Sequence, residues 1–343
     1  MDRKKLLYLL PVIICWSCTQ NVENSKIQNK RDHVVKLREK VKEIEFEDVP
    51  VSYISSLYII DKYFIITDHH STDKLIHLFE KENFNYVTSV GNRGLGPNEI
   101  TNIGKTSINE VDRKFYVSDH GNRTILSFSL DSVLNDPQYF PKEQIKVDEN
   151  QLPYCYQYFN DTLSIGTFTL PIGNADYRPK VGKWNMSTGE IKQMKYEHPD
   201  IEKKRASFAV STQHEIYVEC YWHHDLITIC DLNGDLKCNI YGRRWNNKKT
   251  NRINFYREVQ FCKDKIIALY CDGENNFKEG RNGEVRPNYP SKFIVFDING
   301  DYIQTLDIEY NIQTFCFDKD NNRIIMALDD EIQFACLDLG DLV

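Results

Sequence analysis

Short runs of β-branched and aromatic residues, separated by polar turns, recur along most of the chain. No long stretch has the apolar period of 3.6 residues that marks an amphipathic helix. The clearest unit consists of four strand-like runs, Ser207–Ser211, Ile216–Cys220, Leu226–Asp231 and Leu236–Tyr241. The pattern therefore predicts an all-β protein built from short strands.

A unit of roughly 40–50 residues, which is the length of a propeller blade, repeats six times from Tyr53 onwards. The sixth unit, which begins at Gln313, has three predicted strands instead of four. Because an open ring would leave unpaired strand edges, the segment Val34–Phe46 is the natural candidate for the missing strand. We predict a six-bladed β-propeller with four-stranded blades over residues 34–343, closed by this N-terminal strand. A seventh blade would need a further unit hidden in the irregular third one.

The first residues follow a different pattern, in which a basic start precedes the apolar run Leu6–Ile14. This run is too short to span a bilayer as a helix and has the size and flanks of a secretory signal. It ends in Ser17-Cys18 and resembles a bacterial lipoprotein signal, although Cys15 stands where leucine is usual. We therefore predict a signal peptide over residues 1–17, lipidation of Cys18 and a flexible tether over residues 18–33. A plain signal peptide or a retained membrane anchor is the alternative.

Composition limits the classes of partner. The chain has a formal net charge of −7, whereas nucleic-acid binding requires a basic surface that neutralises phosphates. No nucleic-acid partner is therefore predicted. Eight cysteines follow Cys18, none of them in a Cys-x-x-Cys pair, and most lie in apolar runs. They are expected to be buried free thiols, although an exported protein could also form disulfides.

The strand order predicts that one face of the propeller carries the function. In an antiparallel blade, the loops between strands two and three share a face with the links between blades. The turns on the opposite face are short hairpin turns such as Asn233-Gly234 and Asn299-Gly300. The long loops all belong to the face that carries the links between blades and the loops between strands two and three. They are Gly91–Glu99, Gly166–Pro179, Tyr241–Trp245 and Gly273–Pro290. Since function on such scaffolds lies on loops, we expect the site on this long-loop face.

The segment Gly91–Glu99 reads GNRGLGPNE and is the most specific motif. With the repeat and the N-terminal signal, it resembles the glycine-rich link of the TolB-like six-bladed propeller lipoproteins of Bacteroidetes. That resemblance implies a fold and a place in the cell envelope, for which we expect the outer rather than the inner membrane, but no reaction. The motif is not followed by a helix or by Lys-Ser/Thr, so it is not a phosphate-binding loop. We interpret it as a tight structural link and retain Arg93, Asn98 and Glu99 as ligand-binding candidates.

Histidines and a basic stretch supply the other candidate site residues. Neutral imidazole is a common metal ligand, and five histidines lie in loops between strands two and three. No His-Glu-x-x-His spacing is present, so no metal or other cofactor is predicted. Residues 243–257 contain six basic and three aromatic residues without an acidic one, which suits an anionic or sugar ligand or, more simply, a solvated loop. The weak metal candidates are His69, His70, His120, His223 and His224, and the further ligand candidates are His120, His223, His224, Arg243, Arg244 and Trp245.

No Ser-His-Asp, Cys-His or paired-carboxylate arrangement is visible, so no catalytic residue is predicted. The leading hypothesis is a membrane-tethered binding module that presents the long-loop face to a protein, peptide or glycan. The alternatives are a metal-dependent lyase or hydrolase at the propeller channel and a structural accessory subunit of an envelope complex. Three converging His, Asp or Glu side chains in the channel would indicate an enzyme, whereas an aromatic mouth would indicate binding.

Overall fold

The computed structural model describes residues 24–46, 49–141, 144–147, 152–160, 162–172, 176–201, 204–247, 252–279 and 283–343, so the predicted signal and Cys18 lie outside the described residues. Within them, the strands form six blade sheets and one small hairpin. The first strand of each blade contacts the first strands of both neighbouring blades, and these contacts run around a closed ring. The chain is therefore an all-β, six-bladed β-propeller with four-stranded blades, as predicted.

The N-terminal segment contributes β1 (Ser25–Gln28), β2 (Val34–Lys36), a short 3-10 helix (Arg38–Lys40) and β3 (Val41–Glu43). Blade 1 contains β4 (Ser55–Ile60), β5 (Tyr63–Asp68), β6 (Lys74–Glu80) and β7 (Tyr86–Asn92). Blade 2 contains β8 (Ile103–Asn109), β9 (Lys114–Asp119), β10 (Thr124–Ser129), helix α1 (Leu130–Asn135) and β11 (Gln144–Lys146). Blade 3 contains β12 (Leu152–Asn160), β13 (Leu163–Ile172), β14 (Asp176–Asn185) and β15 (Ile191–Gln193).

Blade 4 contains β16 (Ala206–Ser211), β17 (Ile216–Tyr221), β18 (Leu226–Asp231) and β19 (Leu236–Gly242). Blade 5 contains β20 (Ile253–Cys262), β21 (Lys265–Asn275), β24 (Lys292–Asp297) and β25 (Tyr302–Asp307), with the hairpin of β22 (Phe277–Glu279) and β23 (Val285–Pro287) inside its second loop. Blade 6 contains β26 (Ile312–Asp318), β27 (Arg323–Leu328) and β28 (Phe334–Asp338), and a 3-10 helix (Gly340–Leu342) follows.

Apolar side chains fill the space between neighbouring blades. Every residue of β5, β17 and β27 is buried, because the second strand of a blade packs against neighbours on both of its faces. Phe293 of blade 5 and Phe315 of blade 6 meet edge to face with ring centroids 4.9 Å apart. Burying a side chain of this size contributes roughly 1.5–3 kcal/mol, so contacts between blades stabilise the ring.

The N-terminal segment closes the ring within the predicted range. β3 pairs antiparallel with β28 and supplies the fourth strand of blade 6. The segment does more than the sequence predicts, because β2 pairs in parallel with β25 of blade 5 and β1 with β19 of blade 4. It therefore runs as a strap along the outer edges of three successive blades.

The strap corrects the expectation of a flexible tether over residues 18–33. From Asn24 onwards this stretch is attached to the propeller, and Ser25–Gln28 forms a regular strand. Lys26 Nζ donates to Asn299 O at 2.9 Å, and Gln28 Nε2 donates to Gly300 O at 2.8 Å. The polar composition suggested a linker, whereas the side chains in fact bind the turns of blade 5.

Two predicted boundaries also differ from the structure. Most of Gly166–Pro179, expected as a loop, is the extended hairpin of β13 and β14. Gly166 acts as a close-packing residue and not as a strand breaker, because a Cβ there would lie 2.3 Å from Cys155 O. Blade 2 departs from the regular repeat, because helix α1 lies between its third strand and the short fourth strand β11.

All eight cysteines in the described part of the chain are free thiols, and seven of them are buried. Among the described residues, no helix has the length and apolar character needed to cross a bilayer.

Candidate ligand-binding channel

The first strands of all six blades surround a central channel with a cavity volume of about 550 Å³. Its upper end opens on the long-loop face, since Trp222 and Tyr289 belong to loops between strands two and three. Its lower end opens on the opposite face, where Glu110 and Lys319 follow the first strands of blades 2 and 6. The channel is the natural place to look for a ligand because every blade contributes to its wall.

Irregular strand pairing places polar side chains in this wall. Tyr154, Arg257 and Gln313 are each the extra residue where an inner strand shifts register against the second strand of its blade. A similar shift in blade 2 leaves Gly104 and Lys105 opposite a single residue. Such bulges bend the strand and re-aim side chains, so they break the alternation that would otherwise bury these residues or turn them away. All four of these polar residues either line the cavity or lie at its rim.

Lys105 and Glu258 form the charged centre of the channel. Glu258 Oε2 accepts hydrogen bonds from Thr314 Oγ1 at 2.8 Å and from Phe315 N at 3.3 Å. Burial raises the pKa of Glu258, although Lys105 and these hydrogen bonds oppose that shift. Burial disfavours the charged form of Lys105, but the nearby Tyr58 and Glu258 raise its pKa overall, so the amine stays protonated at neutral pH.

Aromatic rings surround a guanidinium at the upper mouth. The Arg257 guanidinium carbon lies 5.3 Å from the ring centroid of Tyr289 and 5.8 Å from that of Trp222, within cation–π range. Trp222 Nε1 donates to Ser207 Oγ at 2.9 Å, and that hydroxyl in turn donates to Arg257 O. Tyr154 also lines the mouth and is 48% exposed. The mouth is thus aromatic, cationic and held in place by hydrogen bonds.

The predicted residues Arg93, Asn98 and Glu99 lie in the link between β7 and β8, on the long-loop face. Arg93 Nη1 donates to His69 O and Ser71 O, both at 3.1 Å, and so joins the link to the second loop of blade 1. Glu99 Oε2 accepts from Gly96 N at 2.7 Å within the link itself. Of the three glycines in the motif, only Gly91 has a positive φ, at 75°. These contacts fit the structural interpretation of the motif.

The five histidines lie in the predicted loops but do not assemble a site. His69 Nε2 lies 3.1 Å from Ser56 Oγ, and burial, with Lys105 nearby, lowers its pKa. His70 stacks on Tyr53 with centroids 5.7 Å apart. His120 packs on the backbone of Gly104, and burial lowers its pKa.

The remaining two histidines bind backbone carbonyls. His223 Nδ1 lies 2.8 Å from Ile253 O, and His224 Nδ1 lies 3.1 Å from Asn246 O. Across the described ranges, no three His, Cys, Asp or Glu side chains lie close enough to hold a metal ion. The five histidines therefore do not form a metal centre there.

Arg243, Arg244 and Trp245 lie on the long-loop face at the link between blades 4 and 5. Arg243 Nη2 donates to both carboxylate oxygens of Asp272, at 2.9 and 3.1 Å, and Arg244 donates to Asp272 O. The Trp245 ring packs against Tyr241, with centroids 4.9 Å apart. Each of these side chains therefore has a partner in the fold, and none of the three lines the channel.

A buried ion pair lies beneath this link and joins the N-terminal strap to blades 4 and 5. Arg31 Nη1 donates to Asp225 Oδ1 at 3.0 Å, and its Nη2 donates to Tyr256 Oη at 2.9 Å. The Arg31 side chain is 6% exposed and that of Asp225 is fully buried. The guanidinium also lies over the Tyr270 ring, 5.0 Å from its centroid. This contact is structural, and it could not be predicted from the sequence because Arg31 lies in a polar stretch.

The channel residues lie on strands and not on the loops where the sequence pattern predicts the site. The available sign of a channel residue was a charged residue within an otherwise apolar strand sequence. Lys105 follows Ile103-Gly104, and Arg257-Glu258 interrupts the apolar run from Phe255 to Val259. Whether such a side chain faces the channel depends on the bulges, and these cannot be deduced from residue order.

Comparison with known proteins agrees with this architecture. Among solved structures, a DUF4221-family protein from Bacteroides vulgatus has a TM-score of 0.57 and 11% identity, covering 88% of this chain and 98% of that one. A Bacteroides fragilis protein described as exported has a TM-score of 0.55 and 11% identity, covering 91% and 98%. A luciferin-regenerating enzyme has a TM-score of 0.55 and 9% identity, covering 88% and 95%. At these identities the likeness concerns the fold alone.

Sequence comparison gives the family. No curated protein matches the chain in sequence. The model of the DUF5128 family, described as a six-bladed β-propeller, matches residues 45–266, which is more than half of the chain. The chain therefore belongs to the DUF5128 family of six-bladed β-propellers.

Proposed function

We propose that this propeller is a binding module whose ligand enters the central channel from the long-loop face. The observation that carries the proposal is the cavity of about 550 Å³ with an aromatic and cationic mouth formed by Trp222, Arg257 and Tyr289. Small-molecule sites commonly have volumes of about 300–1,000 Å³, walls that are largely apolar and a few placed polar groups. A ligand of that size, or the side chain of a peptide, would fit.

The arrangement favours binding over the lyase or hydrolase alternative. The charged centre of the channel is one lysine and one carboxyl group, and the carboxyl already accepts hydrogen bonds from Thr314 and Phe315. The described residues do not bring three metal-ligating side chains together. Burial raises the pKa of all eight described thiols, whereas a cysteine nucleophile needs a lowered pKa. An aromatic mouth is the feature expected of a binding propeller.

We extend the proposal to location: the module is exported and attached to the cell envelope through a lipid on Cys18. The N-terminal signal pattern supports this, and a Bacteroides fragilis protein of similar fold is described as exported. The variant Cys18→Ala should move the protein from the membrane fraction to the soluble fraction. An unchanged membrane fraction would refute the lipid anchor and leave the binding proposal intact.

Ligand-observed NMR with a chemically mixed set of small molecules tests the binding function. Trp222→Ala should weaken binding of any ligand found by at least about tenfold, because it removes an aromatic wall of the mouth. Tyr86→Ala is the matched control, since Tyr86 is an exposed aromatic residue on the outer strand β7. Equal affinities of the two variants would place the ligand outside the channel, and a folded protein that binds nothing would contradict the proposal.

A further inference from the structure

The charge inside the channel is unbalanced. Three cations and two carboxyl groups line the cavity: Lys105, Arg257, Lys319, Glu110 and Glu258. Lys319 and Glu110 bind each other at the lower end, with Nζ and Oε2 2.5 Å apart and both side chains about half exposed. Above that pair, Glu258 is the one carboxyl group of the lining that faces two cations. The upper channel therefore has an excess of positive charge.

Neither upper cation has a hydrogen-bonding partner of its own within the described residues. Lys105 interacts with Glu258 and Tyr58 through their charges, without a hydrogen bond. The carboxylate oxygens of Glu258 accept hydrogen bonds from Thr314, Phe315 and Gln260 instead. Arg257 has aromatic rings on its faces and leaves its N–H groups without an acceptor among the described side chains. A guanidinium presents five donors and an ammonium three, so these groups offer a set of unused donors.

The bulges explain why these two donors face the cavity. Arg257 is the extra residue of a bulge in β20, and Lys105 lies in the irregular stretch of β8. Along a regular inner strand, successive side chains would point alternately to the two faces of the sheet. A bulge interrupts this alternation and changes where a side chain points. Two separate blades thus use the same device to direct a cation into one cavity.

We propose that the channel binds a small organic anion whose carboxylate lies between Lys105 and Arg257 and whose flat ring packs on Trp222 and Tyr289. A carboxylate matches the planar donors of a guanidinium, and the aromatic rings offer a surface for a sugar face or an aromatic ring. A single negative charge suits an excess of one positive charge. This inference rests on the proposed binding function and adds the chemical class of the ligand.

Two pairs of probes test the inference and separate the two sources of a flat face. Phenylacetate is compared with its neutral amide, and galacturonate with galactose, each titrated into the purified chain by ligand-observed NMR. At least one anion should bind about tenfold or more tightly than its neutral partner, because a charge-assisted hydrogen bond is lost with the charge. The pair that shows the difference identifies the ring as aromatic or sugar. Inorganic phosphate serves as a third probe.

Variants assign the effect to the two cations. Lys105→Met and Arg257→Met should each weaken the anion by about tenfold and leave the neutral partner unchanged. Lys319→Met is the matched control: it removes a channel lysine that already has a partner and should change affinity by less than about twofold. Circular dichroism confirms folding, and if Lys105→Met does not fold, the comparison of anion with neutral partner in the unmodified chain decides.

Several outcomes would overturn the inference and leave the proposed binding function intact. These are equal binding of anion and neutral partner, binding of phosphate in preference to both carboxylates, and a mixed-set ligand that is neutral and displaced by neither acid. If the folded chain binds no member of the mixed set and none of the probes, both the inference and the proposed function fail.

Discussion

The inner and outer edges of the propeller are built differently. Four of the six inner strands shift register against their neighbours, and the shifts direct polar side chains into the channel. The outer edges of blades 4 to 6 are instead reinforced by the strap strands β1, β2 and β3, which pair without a register shift. Register shifts also occur at the outer strands β7, β19 and β25. The inner edge differs because its shifts turn polar side chains into the channel, whereas the outer edges of blades 4 to 6 are covered by added strands.

The largest expected effect concerns the strap. Arg31→Met should lower the free energy of unfolding by about 3–5 kcal/mol, because it leaves the fully buried Asp225 without its cation. Urea denaturation measures this loss. If the strap only covers the outer edge, the variant will instead cost little.

Lys26→Ala is the matched control on the same strap. Lys26 binds Asp301 at 2.6 Å, but the pair is exposed, so its loss should cost less than about 1 kcal/mol. Equal losses for Lys26→Ala and Arg31→Met would show that strand pairing, and not the buried ion pair, fixes the strap.

A smaller effect, with a defined dependence on pH, is expected at the inner edge. Burial raises the pKa of Glu258 above its usual value of 4.5, so this group binds its proton more tightly in the folded than in the unfolded chain. Stability from this group is therefore present below pH 4.5 and is lost as the pH rises through the folded-state pKa. Glu258→Gln, which resembles the protonated form, should remove that part of the pH dependence. Thermal unfolding of both proteins from pH 4 to pH 8 measures it.

Asp68 provides a control of opposite sign. Burial opposes its ionisation, but hydrogen bonds from Ser52, His70 and Ser71 lower the pKa below 3.8 overall. Its contribution is present above pH 3.8 and is lost as the pH falls through the folded-state pKa, so Asp68→Asn should destabilise the protein at neutral pH. If Glu258→Gln and Asp68→Asn changed the stability at neutral pH in the same direction, the opposite pKa shifts of the two carboxyl groups would be contradicted.

The sequence predicted the fold better than the site. Strands of blade 4 were predicted almost to the residue, because their apolar runs end at Asn-Gly and similar turns. The closing strand followed from a count of unpaired edges. Blades 2 and 3 were less clear, because α1 interrupts one repeat and Gly166 suggested a turn inside the other.

The candidate site was harder for a physical reason. Charged loop residues such as Arg243 and Arg93 look available in sequence, yet in the structure they bind neighbouring loops. Lys105 and Arg257 look like ordinary strand residues, and only a register shift turns them into the channel. Contacts between residues far apart in the sequence decide which loop residues are bound and which strand residues face the channel. Such contacts cannot be deduced from the neighbouring residues alone.

The direction of strand β1 has a consequence for how the protein would stand on a membrane. Because β1 runs parallel to β19, its start lies toward the short turns, where Asn24 Nδ2 donates to Leu236 O. Cys18 lies six residues before Asn24, a reach of at most roughly 20 Å along an extended chain. A lipid on Cys18 would therefore hold the short-turn side toward the bilayer and leave the channel mouth pointing outward, where a soluble ligand arrives without crossing the lipid surface.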